Sequence, residues 1–141
     1  MFSTTQSPSD AYALVGVETG VMSASPHKLV LMLFDGALLA IAMARQAMAT
    51  NKIAEKGEEI SRAINIISNG LKVSLDTQAG GELAARLGAL YDYMCNRLLQ
   101  ANLRNEAAAL NEVDALLREL KTAWEEIASD PAVVSNSRKL A

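Results

Sequence analysis

Residues 29–44 read LVLMLFDGALLAIAMA and decide the fold, because they carry a single charge, Asp35, and place apolar side chains on every side of a helix. Helical spacing divides these side chains into two neighbouring stripes. The first stripe contains Leu29, Met32, Leu33, Gly36, Ala37, Ala40, Ile41, Ala44 and Met48, and the second contains Val30, Phe34 and Leu38. A helix that is apolar all round is normally buried on all sides, so one face is core and the rest needs a partner.

A chain of 141 residues has the size of one domain, and folding at this size buries only about 70% of the surface of the unfolded chain. In so small a domain, other helices do not readily surround one helix on all sides. The surplus apolar surface of the first helix therefore predicts a binding groove. Hydrophobic residues make up 50% of the chain and aromatic residues only 4%, which favours helices over strands. The predicted fold class is all-α.

Composition and charge argue against several classes of protein. The apolar run is shorter than the ~20 residues that cross a membrane and contains Asp35 and Gly36, so no membrane insertion is expected. The first ten residues lack the basic start of a signal peptide. A net charge of −3 without a basic run argues against nucleic acid. The single cysteine, Cys95, makes no internal disulfide and fits a reducing cytoplasm.

The first two helices have clear start signals. Ser25 and Pro26 start the first, since serine caps free N–H groups and proline fits the first helical position, and this helix runs to about Met48. Thr50 and Asn51 are expected to turn the chain and cap the second helix. Its predicted core stripe is Ile53, Gly57, Ile60, Ile64, Ile67, Leu71 and Leu75, with Ile66 and Val73 off the stripe.

A loop is predicted over residues 76–81, because Gly80 and Gly81 are too flexible for a helix interior. The third helix then runs over about residues 82–103, Asn105 caps the fourth, and Pro131 lies past its end. The core stripe of the third helix is Leu83, Leu87, Leu90, Met94, Leu98 and Ala101, with Tyr91 at its edge. The fourth helix repeats apolar residues in steps of three and four: Leu110, Val113, Leu117, Leu120, Trp124 and Ile127.

Short connections imply antiparallel neighbours, so the prediction is an up-down-up-down four-helix bundle. The bundle is expected over residues 25–129. A mobile N-terminal segment, residues 1–24, precedes it as a cap or a short extra helix, and a flexible tail, residues 130–141, follows it.

Side chains for catalysis or metal binding are scarce. His27 is the single histidine and lies at the positive end of the first helix, where a neutral capping or surface role is expected. This pattern gives no histidine-based metal pair or catalytic triad, so neither enzyme activity nor a cofactor is predicted. Cys95 is expected to be a packed thiol. Asp35 is either exposed at the rim of a groove or paired with a basic group.

Polar residues interrupt the apolar second helix. Asn65 and Asn69 lie four apart on one face, where their amides either satisfy a guest backbone or face water. Gly70 in mid-helix costs ~1 kcal/mol against alanine and suggests close approach by another backbone. Tyr91 and Tyr93 point to different sides of the third helix, so at most one belongs to the deepest core. Each could anchor a partner.

Several stretches together resemble the family of flagellar export chaperones called FliS. They are SASPHKL with MLFDGA in the first helix, AINII with NGL in the second, and GGE, LYDYM and RLLQANL around the third. The resemblance covers roughly residues 12–127, and the order and spacing of these motifs over four helices make it specific.

The resemblance implies a cytoplasmic, non-enzymatic chaperone for flagellin. Such proteins bind the disordered C-terminal part of flagellin, which prevents premature filament assembly before type III export. It also implies that the N-terminal stretch around Tyr12 and Val15 lies over part of the groove until the client displaces it. An anti-sigma factor and the flagellar export gate are implied as secondary partners. The candidate partner-binding residues are Tyr12, Val15, Leu29, Met32, Leu33, Asp35, Gly36, Ile64, Asn65, Ile67, Asn69, Leu71, Tyr91 and Met94.

Two other functions fit a small helical bundle. A histidine phosphotransfer domain needs an exposed mid-helix histidine, whereas His27 follows a helix-starting proline. A homo-oligomeric scaffold would instead bury the apolar excess of the first helix against a second copy, and excess apolar surface alone does not distinguish it from a chaperone.

Overall fold

The computed structural model describes residues 25–75 and 77–128, and within them it contains four α-helices and no strand. The helices are α1 (Pro26–Ala49), α2 (Ile53–Ile66), α3 (Thr77–Arg104) and α4 (Ala107–Ala128). A π-helical turn, Ile67–Lys72, continues α2 directly. The all-α prediction is confirmed. The expected N-terminal cap and C-terminal tail lie outside the described residues.

Contacts between helix ends establish the antiparallel order. Trp124, near the end of α4, donates from Nε1 to the backbone oxygen of His27 at the start of α1, at 3.0 Å. Lys56, at the start of α2, donates from Nζ to the backbone oxygen of Asn102 near the end of α3, at 3.1 Å. Neighbouring helices therefore run in opposite directions, as the short connections predicted.

The start of α1 follows the sequence signal. Ser25 accepts a hydrogen bond at Oγ from the backbone N–H of Lys28, at 3.1 Å, and Pro26 occupies the first turn. This cap satisfies one of the N–H groups that a helix start leaves without a partner.

The two predicted asparagine caps are wrong. Asn51 and Asn105 have φ angles of 57° and 56°, in the left-handed region, and lie in the turns between helices. Lys52 precedes α2 and makes no capping hydrogen bond with its side chain. A sharp turn between antiparallel helices needs a left-handed residue, and asparagine tolerates that conformation better than most.

The core stripe of α2 also differs from the prediction. Ile66, expected off the stripe, is fully buried, whereas Ile53, expected on it, is 75% exposed. Ile66 lies three residues after the buried Ala63 and next to the buried Ile67, so the buried face of α2 is broader than the predicted stripe. Ile53 lies in the first turn of α2, at the end of the bundle.

The predicted loop before α3 is partly helical. Helical structure begins at Thr77, and Gly81 interrupts it with φ 54° and ψ −126°, so the expected break occurs at this glycine. Leu83, predicted in the core, is 65% exposed, while Tyr91, predicted at the edge, is buried. The buried face of α3 passes through Ala84 instead, one residue further along the helix.

The bundle itself buries most of the apolar excess of α1. Nine of its residues are buried, including Leu33 from the first stripe and Phe34 and Leu38 from the second. Leu39 and Met43 remain as its exposed large apolar side chains. Among the described helices, α1 is long and apolar enough to cross a membrane, a property that core helices of soluble proteins share.

Candidate functional site

An apolar cavity of 280 Å³ opens at one end of the bundle. The start of α1, the chain after the π-helical turn, the start of α3 and the end of α4 all contribute to its wall. The lining residues are Val30, Phe34, Ser74, Leu75, Leu83, Leu87, Tyr91, Leu120, Ala123, Trp124 and Ile127. We call this the end cavity. Ten of these side chains present carbon surface, which suits an apolar ligand segment.

Trp124 is held rigidly in the wall of the end cavity. Its ring stacks on His27 with centroids 4.8 Å apart and an interplanar angle of 5°. Its Nε1 hydrogen bond to the His27 backbone oxygen satisfies the one polar group of the indole. The rest of the indole can therefore serve as apolar surface without a polar group left unpaired.

Burial lowers the pKa of His27, and the carboxylate of Glu125 opposes that effect. The imidazole is therefore expected to be neutral at pH 7. The sequence predicted a neutral imidazole from its position at the positive end of the helix, whereas desolvation is the leading cause in the structure. A neutral imidazole keeps positive charge away from the apolar wall beside it.

Tyr91 is the predicted partner-binding residue that lines the end cavity. Burial raises the pKa of its phenol to about 12, so the hydroxyl stays protonated at neutral pH. The buried ring forms part of the cavity wall.

The other predicted partner-binding residues do not lie together in one site. Buried within the bundle are Leu29, Leu33, Ile67, Leu71 and Met94, whose side chains hold the helices together. Half-buried are Met32, Gly36 and Ile64, and exposed are Asp35, Asn65 and Asn69. Tyr12 and Val15 lie outside the described residues.

The sequence left Asp35 either exposed or paired with a basic group, and in the structure it is both. Its side chain is 59% exposed, and Oδ1 lies 2.7 Å from Nζ of Lys121 on α4. This hydrogen bond is the main cause that raises the pKa of Lys121. Because both groups reach solvent, the pair adds little to stability.

On α2, the Asn69 amide donates to Oδ1 of Asn65, and both side chains remain exposed. Beside them, Cys95 lies 3.8 Å by Sγ from the backbone oxygen of Ile64. Burial, aided by Asp92 and opposed by Lys72, raises the pKa of the thiol to about 11. Cys95 is therefore a protonated, packed thiol at neutral pH.

Helical periodicity does not reveal most of the end cavity. Periodicity places Phe34, Leu87, Leu120 and Trp124 on apolar helix stripes, and a stripe alone does not distinguish a core position from a cavity wall. The available signal was their location, because each lies in the half of its helix that is nearer the same end of an antiparallel bundle. Among the described residues, no group of three or more histidine, cysteine or acidic side chains could hold a metal ion.

Comparison with known proteins gives a consistent result. The family model described as "Flagellar protein FliS" matches residues 8–131. The flagellar secretion chaperone FliS of Salmonella typhimurium is 56% identical over 117 residues, 83% of this chain and 87% of the relative. The protein of the same name from Escherichia coli is 52% identical over 126 residues, 89% of this chain and 93% of the relative. The Bacillus subtilis protein is 37% identical over 121 residues, 86% of each chain.

Proposed function

The chain belongs to the FliS family of flagellar secretion chaperones, and on that premise we propose that it binds the disordered C-terminal region of flagellin in the cytoplasm. Binding keeps flagellin from polymerising early and keeps it competent for flagellar type III export. The protein acts by binding alone and is not an enzyme.

The end cavity is the observation that carries this proposal. It is open and apolar, with walls from four separate segments of the bundle. A preformed pocket of this kind accepts one or more apolar side chains of a helical or extended segment. A client that is disordered when free loses conformational entropy on binding, so the affinity is lower than the buried area alone would give.

The N-terminal segment, residues 1–24, has the proposed role of a cover. Tyr12 and Val15 would occupy part of the apolar groove until the client displaces them. Residues 25–129 form the client-binding domain in this proposal, and residues 130–141 form a tail. An anti-sigma factor and the flagellar export gate are the proposed secondary partners.

Calorimetry with a peptide from the C-terminal disordered part of flagellin tests the proposal. We expect saturable one-to-one binding with a negative heat-capacity change, and added helicity by circular dichroism. No binding at high peptide concentration would contradict the proposal.

Two exposed leucines supply a matched pair of variants. Leu83 is 65% exposed and lines the end cavity, whereas Leu39 is 59% exposed on α1 and does not line it. Leu83→Asp should weaken peptide binding at least tenfold, and Leu39→Asp should leave it unchanged. Equal effects of the two variants would remove the end cavity from the proposal.

The alternative is a homo-oligomeric scaffold, which the exposed Leu39 and Met43 on α1 favour. Sedimentation without client distinguishes the two functions. A monomer that becomes a one-to-one complex with the peptide supports the chaperone. A stable dimer that Leu39→Asp dissociates supports the scaffold.

A further inference from the structure

A second cavity, of 240 Å³, lies at the opposite end of the bundle from the end cavity. Here α1 ends, α2 begins and α3 ends. The residues that matter in its wall are Met48, Lys52, Ile53, Lys56, Asn102 and Leu103. We call it the Lys56 pocket. None of the roles assigned above uses it.

The pocket contains a buried cation. Lys56 is only 6% exposed, although lysine is almost never buried without a partner. Its Nζ donates to the backbone oxygen of Asn102 and to Oδ1 of Asn105, both at 3.1 Å. Both acceptors are uncharged, and an ammonium has three N–H donors. Within the described part of the chain, Lys56 forms no salt bridge with a carboxylate.

The other charged side chain of the pocket also favours an anion. Lys52 is the second cation in the wall, and no acidic residue lines it, although the whole chain carries a net charge of −3. Lys52 also precedes α2 and offers no side-chain acceptor to the N–H groups of the first turn. Glu55, in that turn, is exposed and lies outside the lining.

The rim of the pocket is apolar. Ile53 and Leu103 are among the most exposed large apolar side chains of the described residues, at 75% and 82%. Met48, near the end of α1, adds an adaptable, half-buried surface to the wall. The pocket thus places a cation and exposed apolar surface within one small cavity.

We propose that the Lys56 pocket binds the C-terminal carboxylate of the client polypeptide, with the last apolar side chains against Ile53 and Leu103. This inference rests on the proposed function. A chain terminus carries a carboxylate and a side chain on the same carbon atom, so it fits both features of the pocket at once. Lys56 supplies a charge-assisted hydrogen bond, and Lys52 adds a second positive charge.

The position of the pocket would set the register of the client. Met48 lines the Lys56 pocket and Phe34 lines the end cavity, and the two residues lie roughly 20 Å apart along α1 at the rise of an α-helix. A client anchored by its terminus in the Lys56 pocket would reach the end cavity with a segment further back in its sequence.

Two forms of one peptide test the inference. The flagellin C-terminal peptide is made with a free carboxylate and with a C-terminal amide, and both are titrated into the full chain by calorimetry. The free acid should bind about tenfold more tightly, since a charged hydrogen bond to a buried lysine is lost in the amide. In Lys56→Met this ratio should fall to about one, which completes a double-mutant cycle.

Lys56→Met also leaves two oxygens without a donor, so its fold is checked by circular dichroism. If that variant fails to fold, Lys52→Gln replaces it in the test, because Lys52 is exposed and its substitution is not expected to disturb the fold. Neutralising Lys52 should reduce the acid-to-amide ratio several-fold. Lys28→Gln, an exposed lysine at the other end of the bundle, is the control and should keep the full ratio.

The outcomes distinguish failure of the carboxylate site from failure of the proposed function. Equal, tight binding of acid and amide would overturn the carboxylate site and leave the flagellin proposal standing. The carboxylate site would also be overturned if a folded Lys56→Met keeps the full acid-to-amide ratio, because the carboxylate would then bind elsewhere. If Lys56→Met does not fold, the same conclusion follows from an unchanged ratio in Lys52→Gln. Failure of both peptides to bind would overturn the proposed function and this inference together.

Discussion

Gly70 packs so closely on Leu33 that a β-carbon at residue 70 would lie 2.9 Å from Cδ2 of Leu33. The sequence suggested close approach by another backbone at this glycine, and the structure places a leucine side chain there. Leu33 is fully buried, so it has little freedom to move away. The contact ties the π-helical turn to α1.

Gly70→Ala should therefore lower the free energy of unfolding by about 1 kcal/mol, because overpacking of ~1–3 kcal/mol exceeds the helix propensity gained. Chemical denaturation measures the change. Gly57→Ala is the control, since its β-carbon would meet only ordinary contacts, the nearest at 3.9 Å from Asn102, and it should be neutral or stabilising. A stabilised Gly70→Ala would show that Leu33 yields easily.

Acidification should destabilise the protein through His27. Its pKa is lowered in the folded state, so the unfolded chain binds the proton more readily below its ordinary value of 6.5. The contribution is present above pH 6.5 and is lost as the pH falls towards the lowered pKa. Denaturation at pH 7.5 and 5.5 measures it, and His27→Gln should reduce the difference. An undiminished pH dependence in that variant would assign the effect to other groups.

Leu33→Ala should cost 2–5 kcal/mol of stability, because it leaves a cavity in the core of the bundle. Leu33→Asp or Ile67→Asp should prevent stable folding, since each places a charge at a fully buried position. Thermal melting followed by circular dichroism measures these losses. A folded Ile67→Asp that binds no peptide would instead place Ile67 in the client site.

Tyr12→Ala should change peptide affinity and leave the melting temperature nearly unchanged. The reason is the proposed cover, which competes with the client for the groove. Calorimetry on the parent and the variant measures the affinity. If the two proteins bind the peptide equally, Tyr12 is not part of a cover.

Cys95 should react slowly with a thiol reagent at pH 7.5, because burial raises its pKa to about 11 and leaves little thiolate. The rate is followed by absorbance with an aromatic disulfide reagent. The same chain in denaturant provides the control and should react at the rate of a free cysteine. A fast reaction in the folded state would contradict the packed position.

Helix count, order and class could be predicted because they depend on local patterns. Ser25 and Pro26 mark a helix start through backbone chemistry, and the steps of three and four in α4 follow from helical geometry. The stripes of α2 and α3 were less predictable. The buried face of α2 is broad enough to include Ile66, and the buried face of α3 includes Ala84 and leaves Leu83 exposed.

The candidate sites were less predictable still. Periodicity assigned both Leu33 and Trp124 to apolar stripes, but it does not distinguish a position enclosed by four helices from one that lines an open end. Lys56 carried no signal at all, since a lysine in a charged helix is normally solvated.

The sequence by itself determined the four helices, their antiparallel order and the resemblance to a chaperone family, because these follow from spacing along one chain. Only the tertiary structure decided which apolar side chains are enclosed, how Asp35 pairs with Lys121, and where the end cavity and the Lys56 pocket lie. The physical reason is that exposure and charge pairing depend on distances between helices, and a periodic pattern contains no such distances.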